Sequence, residues 1–265
     1  MSASDLQPAV VSLPALRIDG GQRSEFSDAV IEERPIALSY NGVAHAVMMA
    51  TPADLEDFAL GFSLGEGIVD SPAQWRFVEA LSTDAGLVLE MIVPQANFDR
   101  LQQRSRALAG SSGCGLCGSE SLQAAMRPAP RVESAMRIAA DEVARAVAAL
   151  AEHQVLNRQS GGVHAAAFAH AGGLLVREDV GRHNALDKLV GARARASLGE
   201  GFLVLSSRAS HELLHKAAAA GIALVATISA PSTLAIETAQ GYGVTLACFV
   251  RGGQMTVYSH PQRLL

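Results

Sequence analysis

Three short apolar runs in the second half of the chain, each separated from the next by a helical pattern, restrict the fold more than any other feature. "GFLVLSS" (201–207), "IALVATISA" (222–230) and "VTLACFV" (244–250) have the length and β-branched content of buried strands. Between them, "SHELLHKAAAAG" and "PSTLAIETAQG" carry apolar residues at helical spacing, the first stopped by Gly221. Strands joined through helices pair in parallel, because each helix must cross back over the sheet. A largely parallel sheet covered on both faces is expected. "GGVHAAAFAHAGGLLVRED" ahead of this block reads as a hairpin, and "VTLACFV-RGG-QMTVYS" as a closing one.

The first half has a different grammar. "RPIALSYNGVAHAVMMA" is two strands about an Asn41-Gly42 turn, since that pair accepts the positive φ angles of a two-residue hairpin. Thr51 is placed to cap a helix with Pro52 at its first position, ahead of Leu55, Phe58, Ala59 and Phe62. "WRFVEALSTDAGLVLEMIV" adds two strands, and "NFDRLQQRSRALAG" a polar helix ended by Gly110. "MRPAPRV" then breaks regular structure before a helix near 141–153. The resulting division is a loose, flexible N-terminus at 1–25, a small α+β domain at 26–109, a loop and linker at 110–135, and a larger α/β domain at 136–265. The class is α+β overall.

In a parallel sheet the turns that open helices gather at one edge, where free N–H groups and arginines favour phosphate. "VREDVGRHNALDKLVG" supplies Arg177, Glu178, Asp179, Gly181, Arg182, His183 and Asn184 to such a turn. "LSSRASHE" supplies Ser206, Ser207, Arg208 and Ser210, and "TISAPST" supplies Thr227, Ser229, Ser232 and Thr233. The plainer role for the serines and threonines is helix capping. His164, in an alternating apolar strand, fits a hydrogen-bonded structural role at least as well as a functional one. Lys188 reads as part of a solvated helix face, and the scarcity of lysine, two among 21 basic residues, as arginine-biased usage. A net charge of −5 and the lack of a basic stripe argue against nucleic acid, so an anionic ligand needs a local pocket.

"SSGCGLCGSES" (111–121) holds Cys114 and Cys117 among glycines and serines. A structural zinc wants four ligands, but no histidine lies within 35 residues of the pair and the third cysteine, Cys248, sits in an apolar strand. A zinc deaminase wants His-x-Glu upstream and proline before the pair; neither is present. "GCGLCG" lacks the preceding strand of a dinucleotide fingerprint, and the pair does not open a helix as a thioredoxin couple does. What remains is an accessible thiol pair whose flanking glycines suit sulfur exchange, one thiolate attacking and the second assisting or resolving. No structural metal is expected. Three cysteines make no disulfide framework, and no apolar stretch is long enough to span a bilayer, so a cytoplasmic protein without membrane contact is expected.

With these stretches, "TPADLEDFALGFSLGEGIV", "SSRASHELLHKAAAAGI" and "SAPSTLAIETAQGYGVTLACFVRGG", the chain resembles the FdhD/NarQ family of formate dehydrogenase accessory sulfurtransferases over nearly its whole length. The resemblance implies a persulfide carrier that receives sulfur from a cysteine desulfurase on Cys114, with Cys117 as helper. It implies transfer to a bis-molybdopterin guanine dinucleotide molybdenum cofactor, the bound acceptor, before that cofactor enters formate dehydrogenase. Phe249, Val250, Arg251, Gly252, Gly253 and Gln254 match the family's cofactor-binding stretch, with Arg182, His183 and Arg208 as further phosphate contacts. A larger domain similar to the three-layer αβα cytidine deaminase fold, and a homodimer, are also implied. His211 stands where the family pattern leads one to expect an aromatic residue, and "RGGQMTVY" departs from the cofactor-binding stretch. Two other readings fit the same residues: a non-catalytic cofactor-binding chaperone with regulatory cysteines, and a redox or zinc-binding regulator.

Overall fold

A computed structural model describes residues 8–110 and 129–265. The described residues open with a ribbon: β1 (Val10–Asp19) and β2 (Gln22–Ile31) pair antiparallel from Val10↔Ile31 to Asp19↔Gln22. The turn is Gly20-Gly21, at φ 53° and 90°. Glycine takes positive φ angles without the steric cost of a Cβ, and two in succession suit a two-residue hairpin. A domain boundary at residue 25 therefore falls inside β2. The ribbon exposes both faces, so it lacks the apolar alternation that marks a half-buried strand.

β3 (Arg34–Tyr40), β4 (Val43–Ala50), β5 (Arg76–Thr83) and β6 (Gly86–Ile92) form a four-stranded sheet in the order β4-β3-β6-β5, with β3 and β6 parallel at its centre. Helix α1 (Leu55–Gly65) covers one face, packing Leu55, Phe58, Ala59 and Phe62 on Ile36, Leu38, Leu87 and Leu89. It starts three residues later than a Thr51 cap requires, after Asp54 in the left-handed region at φ 52°. Thr51 is engaged elsewhere, as shown below. Helix α2 (Gln95–Gly110) follows β6.

The rest comprises α3 (Ala140–His153), α4 (Val155–Ser160), β7 (His164–His170), β8 (Gly173–Asp179), α5 (Arg182–Arg195), β9 (Gly201–Leu205), α6 (His211–Ala219), β10 (Leu224–Thr227), α7 (Thr233–Tyr242), β11 (Thr245–Arg251) and β12 (Gln254–Ser259). Six strands make one sheet in the order β12-β11-β10-β9-β7-β8. It is mixed rather than largely parallel. Only β9, β10 and β11 pair in parallel, and the short hairpin turns of β7–β8 and β11–β12 allow nothing but antiparallel pairing at the flanks. Helices α5, α6 and α7 bury Leu186, Leu189, Leu213, Leu214, Ala235 and Ala239 on one face. Helix α3 buries Val143, Val147 and Leu150 on the other. The sheet thus lies between helical layers, with Cys248 in its core, where burial pushes the thiol up to about 12. Among the described residues no helix is long and apolar enough to cross a membrane.

The two sheets are joined through α1 and α5, which cross at glycines. A methyl group on Gly61 would lie 1.7 Å from the Asp187 carbonyl oxygen, and one on Gly191 would lie 1.9 Å from that of Asp57. Glycine at both positions lets the backbones touch. The Asp57 carboxylate then takes Arg177 at 2.7 Å and Arg195 at 2.8 Å, one from β8 and one from α5.

Candidate functional site

Because β7 is antiparallel to both β8 and β9, strands β8, β9, β10 and β11 run the same way and end on one edge of the sheet. The turns into α5, α6 and α7 and the β11–β12 turn all start there. Arg182 and His183 open α5, both half-buried. His183 Nε2 lies 2.7 Å from Glu212 Oε2 in the first turn of α6, a partner that the sequence pattern did not single out. Burial lowers the His183 pKa, Glu212 opposes this, and Arg182, Lys216 and His164 add to it. His164 at the start of β7 is lowered in the same way, by burial and then by Arg182. Among the described residues, neither the Arg182 guanidinium nor that of the exposed Arg208 has a carboxylate or hydrogen-bond partner.

The serines divide. Ser206 binds β7, its Oγ accepting from Ala165 N at 2.8 Å, and Ser232 caps α7 by accepting from Ala235 N at 3.2 Å. The Thr227 hydroxyl donates to the Ser207 carbonyl and accepts from Ser229 N. Ser210 precedes α6 without capping it, and its buried Oγ has no hydrogen-bond partner. His211 joins α6 to α7 through Nδ1 and Thr238 Oγ1 at 2.7 Å.

At the far end of the edge, a bulge between Cys248 and Arg251 turns Phe249 outward. Phe249 sits in the left-handed region at φ 56° and is 40% exposed, an unfavourable backbone for an aromatic residue and an unfavourable surface for its ring. Phe249 N donates to Ser229 O at 3.3 Å, and Arg251 Nη2 reaches Ile228 O at 3.4 Å, so this hairpin is stitched to the β10–α7 turn. Gly252 and Gly253, both at positive φ, make the turn before Gln254. Phe249, Gly253 and Gln254 line an open cleft of about 490 Å³ with Ala140, at the start of α3. Val250 points the other way. Its side chain is 1% exposed and packs in the α3 core, so only its backbone belongs to the edge. β8 and β11 are four strand spacings apart, so the strand ends that lead to Arg182 and carry Arg251 are about 19 Å apart along the edge.

Much of "REDVGRHNALDK" serves a different purpose. Glu178 accepts from the backbone N–H groups of Leu156 and Asn157 at the start of α4. Asp179 Oδ1 accepts from Gly181 N and Asn184 Nδ2, while Oδ2 accepts from Thr51 N at 3.0 Å. Lys188, read from sequence as solvated, is fully buried and donates to the Thr51 carbonyl at 3.0 Å. Asn184 Nδ2 also donates to the Met49 carbonyl. The motif thus clasps the end of β4 to β8 and α5, leaving Arg182 and His183 as its members at the edge. Cys114 and Cys117 lie outside the described residues.

The sequence profile of the FdhD/NarQ family matches residues 31–265. A curated relative from Xanthomonas campestris pv. campestris (strain B100), the "Sulfur carrier protein FdhD", is 51% identical over 266 residues, covering 99% of this chain and 95% of its own. One of the same name from Bordetella petrii is 49% identical over 255 residues, covering 94% and 92%. A crystal structure from Desulfotalea psychrophila matches with a TM-score of 0.75 at 23% identity, covering 97% of this chain and 100% of the other, which supports the fold.

Proposed function

Since the chain belongs to the FdhD/NarQ family, we propose that it is a sulfurtransferase that carries sulfur as a persulfide on Cys114. It takes that sulfur from a cysteine desulfurase and passes it to the bis-molybdopterin guanine dinucleotide molybdenum cofactor destined for formate dehydrogenase. The observation that carries the acceptor half is the sheet edge. The Arg182 and Arg208 guanidiniums, without partners among the described residues, and an outward-turned Phe249 are spread along it rather than clustered. A spacing of about 19 Å is too wide for one phosphate and suits an elongated ligand with nucleotides at its ends. Phe249 and Gln254 would take a guanine face and edge, the Gly252-Gly253 backbone and Arg251 a pyrophosphate, and Arg182, His183 and Arg208 a more distant phosphate.

In this reading the Cys114 thiolate attacks the outer sulfur of the desulfurase persulfide and releases the donor thiolate. Delivery balances when Cys117 supplies two electrons. Perthiol, Cys117 thiol and an oxo ligand on the substrate molybdenum give a Cys114–Cys117 disulfide, a sulfido ligand and water. A thiol reductant then restores the pair. The setting is the cytoplasm, and the working form a homodimer.

The test is incubation with a cysteine desulfurase and cysteine, followed by mass spectrometry of the peptide bearing Cys114. One added sulfur, lost in Cys114→Ala together with formate dehydrogenase activation, is expected. Activation that survives Cys114→Ala sinks the carrier reading and leaves a cofactor-binding chaperone.

A further inference from the structure

The two edges of the β1–β2 ribbon differ in what they offer another strand. Its two-residue turn makes Asp19↔Gln22 a hydrogen-bonded pair, and every second pair after it repeats the arrangement down to the base, where Glu32 N donates to Ala9 O at 2.8 Å. Pro14↔Ser27 falls between two such pairs, so both residues turn their backbone groups outward. In the middle of β1 the outward position is therefore held by Pro14, which has no N–H, and proline there blocks a further strand. β2 carries no such block. Arg23, Glu25, Ser27, Ala29 and Ile31 each turn an N–H and a carbonyl outward, and the register from Gln22 to Ile31 has no bulge. Among the described residues no strand pairs with that edge.

The ribbon is also short of packing. Its base meets α4 and Gly162, yet no residue of either strand is buried, and Leu13, Leu16 and Ile18 stand exposed. A two-stranded ribbon alone is marginal in water, whereas three or more strands with an apolar face hold together. The family profile match begins only at residue 31, and the sulfur chemistry proposed above makes no use of the ribbon. An open backbone edge is matched best by another open edge of equal length. Elsewhere in the molecule the ladders that carry the edge strands β4, β5 and β12 contain bulges, and β8 spans 7 residues against the 10 of β2. A second β2 matches the first along its whole length.

We propose that the β2 edges of two copies of this chain pair antiparallel about a two-fold axis at Ser27, giving a four-stranded sheet in the order β1-β2-β2-β1. The register follows from the residues. An axis at Glu25 or at Asp28 sets like charges directly opposite each other, which destabilises a strand pair. With the axis at Ser27, Arg23 faces the partner's Ile31, Glu25 faces the partner's Ala29 and Asp28 faces the partner's Phe26, so no charge opposes another. Every outward N–H of both strands is then used. The contact is isologous and closed, so it yields dimers rather than fibres. Val11, Leu13, Ala15, Phe26 and Val30 share one side of the ribbon, and the pairing doubles that apolar side. The proposal rests on the homodimer of the reading above and says where its two copies meet; the sulfur chemistry is independent of it.

The experiment is sedimentation velocity of the full-length protein over a concentration series. Ser27→Pro removes an N–H that points outward and leaves the ribbon's own ladder intact, as Pro14 does on the other strand. It is expected to weaken the dimer about tenfold or more. Ala29→Glu sets a carboxylate opposite the partner's Glu25 and is expected to weaken the dimer as well, more so at low salt. Adding Glu25→Arg to Ala29→Glu is expected to restore it, because the opposed charges then attract. That recovery reads the register even where Ser27→Pro disturbs the ribbon. Dimer affinity unchanged to within about twofold in both Ser27→Pro and Ala29→Glu overturns the interface and leaves the homodimer to be held elsewhere. A wild-type protein that sediments as a monomer at every concentration overturns the homodimer and this contact with it, while sulfur loading of Cys114 is read separately.

Discussion

Lys188 Nζ lies 2.6 Å from Asp179 Oδ2 with both side chains fully buried, and the same carboxylate oxygen accepts from Thr51 N. This pair joins α5 to the end of β8 directly behind the turn that presents Arg182 and His183. Removing the ammonium strands a carboxylate in the core. Lys188→Met is expected to lower stability by about 3–5 kcal/mol, read as a fall in the urea midpoint. Lys188→Met with Asp179→Leu should recover part of it, since no charge is then left unpaired. A single variant as stable as wild type would show that the clasp is dispensable.

The α1–α5 crossing allows no side chain at its two glycines. Gly61→Ala must separate backbones that now leave 1.7 Å for the new methyl, and Gly191→Ala faces 1.9 Å. Each should cost several kcal/mol, in the upper range of single substitutions, about 4 or more. Gly241→Ala is the control: it lies within α7 with nothing within 4 Å of the new methyl. Alanine there should be neutral or stabilise by up to about 1 kcal/mol. Urea unfolding of the three variants orders them.

Elements with a local cause were legible in the sequence, and long-range ones were not. Asn41-Gly42 does form the hairpin turn expected of it, because the φ requirement is met within two residues. Thr51 looked like a cap, but its N–H and carbonyl are consumed by Asp179 and Lys188, 128 and 137 residues away. Lys188 was misread because α5 is covered by the sheet on one side and α1 on the other, so its polar positions face protein rather than water. A signal existed. The chain has only two lysines, and both end in buried ion pairs, with Asp179 and with Asp187. At the edge, Arg182 and Arg208 could be nominated from their turns. The left-handed backbone of Phe249 and the inward turn of Val250 depend on a bulge that no local pattern announces.

Acid should weaken the fold through its buried histidines, opposed in part by Asp187, whose carboxyl burial pushes up to about 6. Burial lowers the pKa of His45, His164 and His183 in the folded state. Below about 6.5 the unfolded chain takes up these protons first, so stability present above that pH is lost as pH falls toward the folded values. The urea midpoint should therefore drop between about pH 7 and pH 5.5. His164→Gln should reduce the slope without abolishing it, because His45 and His183 remain. A flat profile over that window would remove burial of the histidines as a source of pH sensitivity.

Phe249 offers a way to separate binding from folding. Its φ of 56° is costly for a side chain with a Cβ, and its 40% exposed ring contributes little to the core. Phe249→Gly relieves about 1 kcal/mol of backbone strain, so the urea midpoint should hold or rise. If the ring stacks on guanine, a contact worth about 1–3 kcal/mol, the same variant should bind GDP about tenfold or more weakly in titration calorimetry. Arg251→Ala should weaken GDP as well, through the pyrophosphate. Arg182→Ala, on the strand end about 19 Å away along the edge, should leave GDP within about twofold, because in this reading Arg182 holds the more distant phosphate of the elongated cofactor, which GDP lacks. GDP binding that ignores Phe249→Gly and Arg251→Ala but falls in Arg182→Ala would move the nucleotide to the start of α5, and the strained aromatic would then need another explanation.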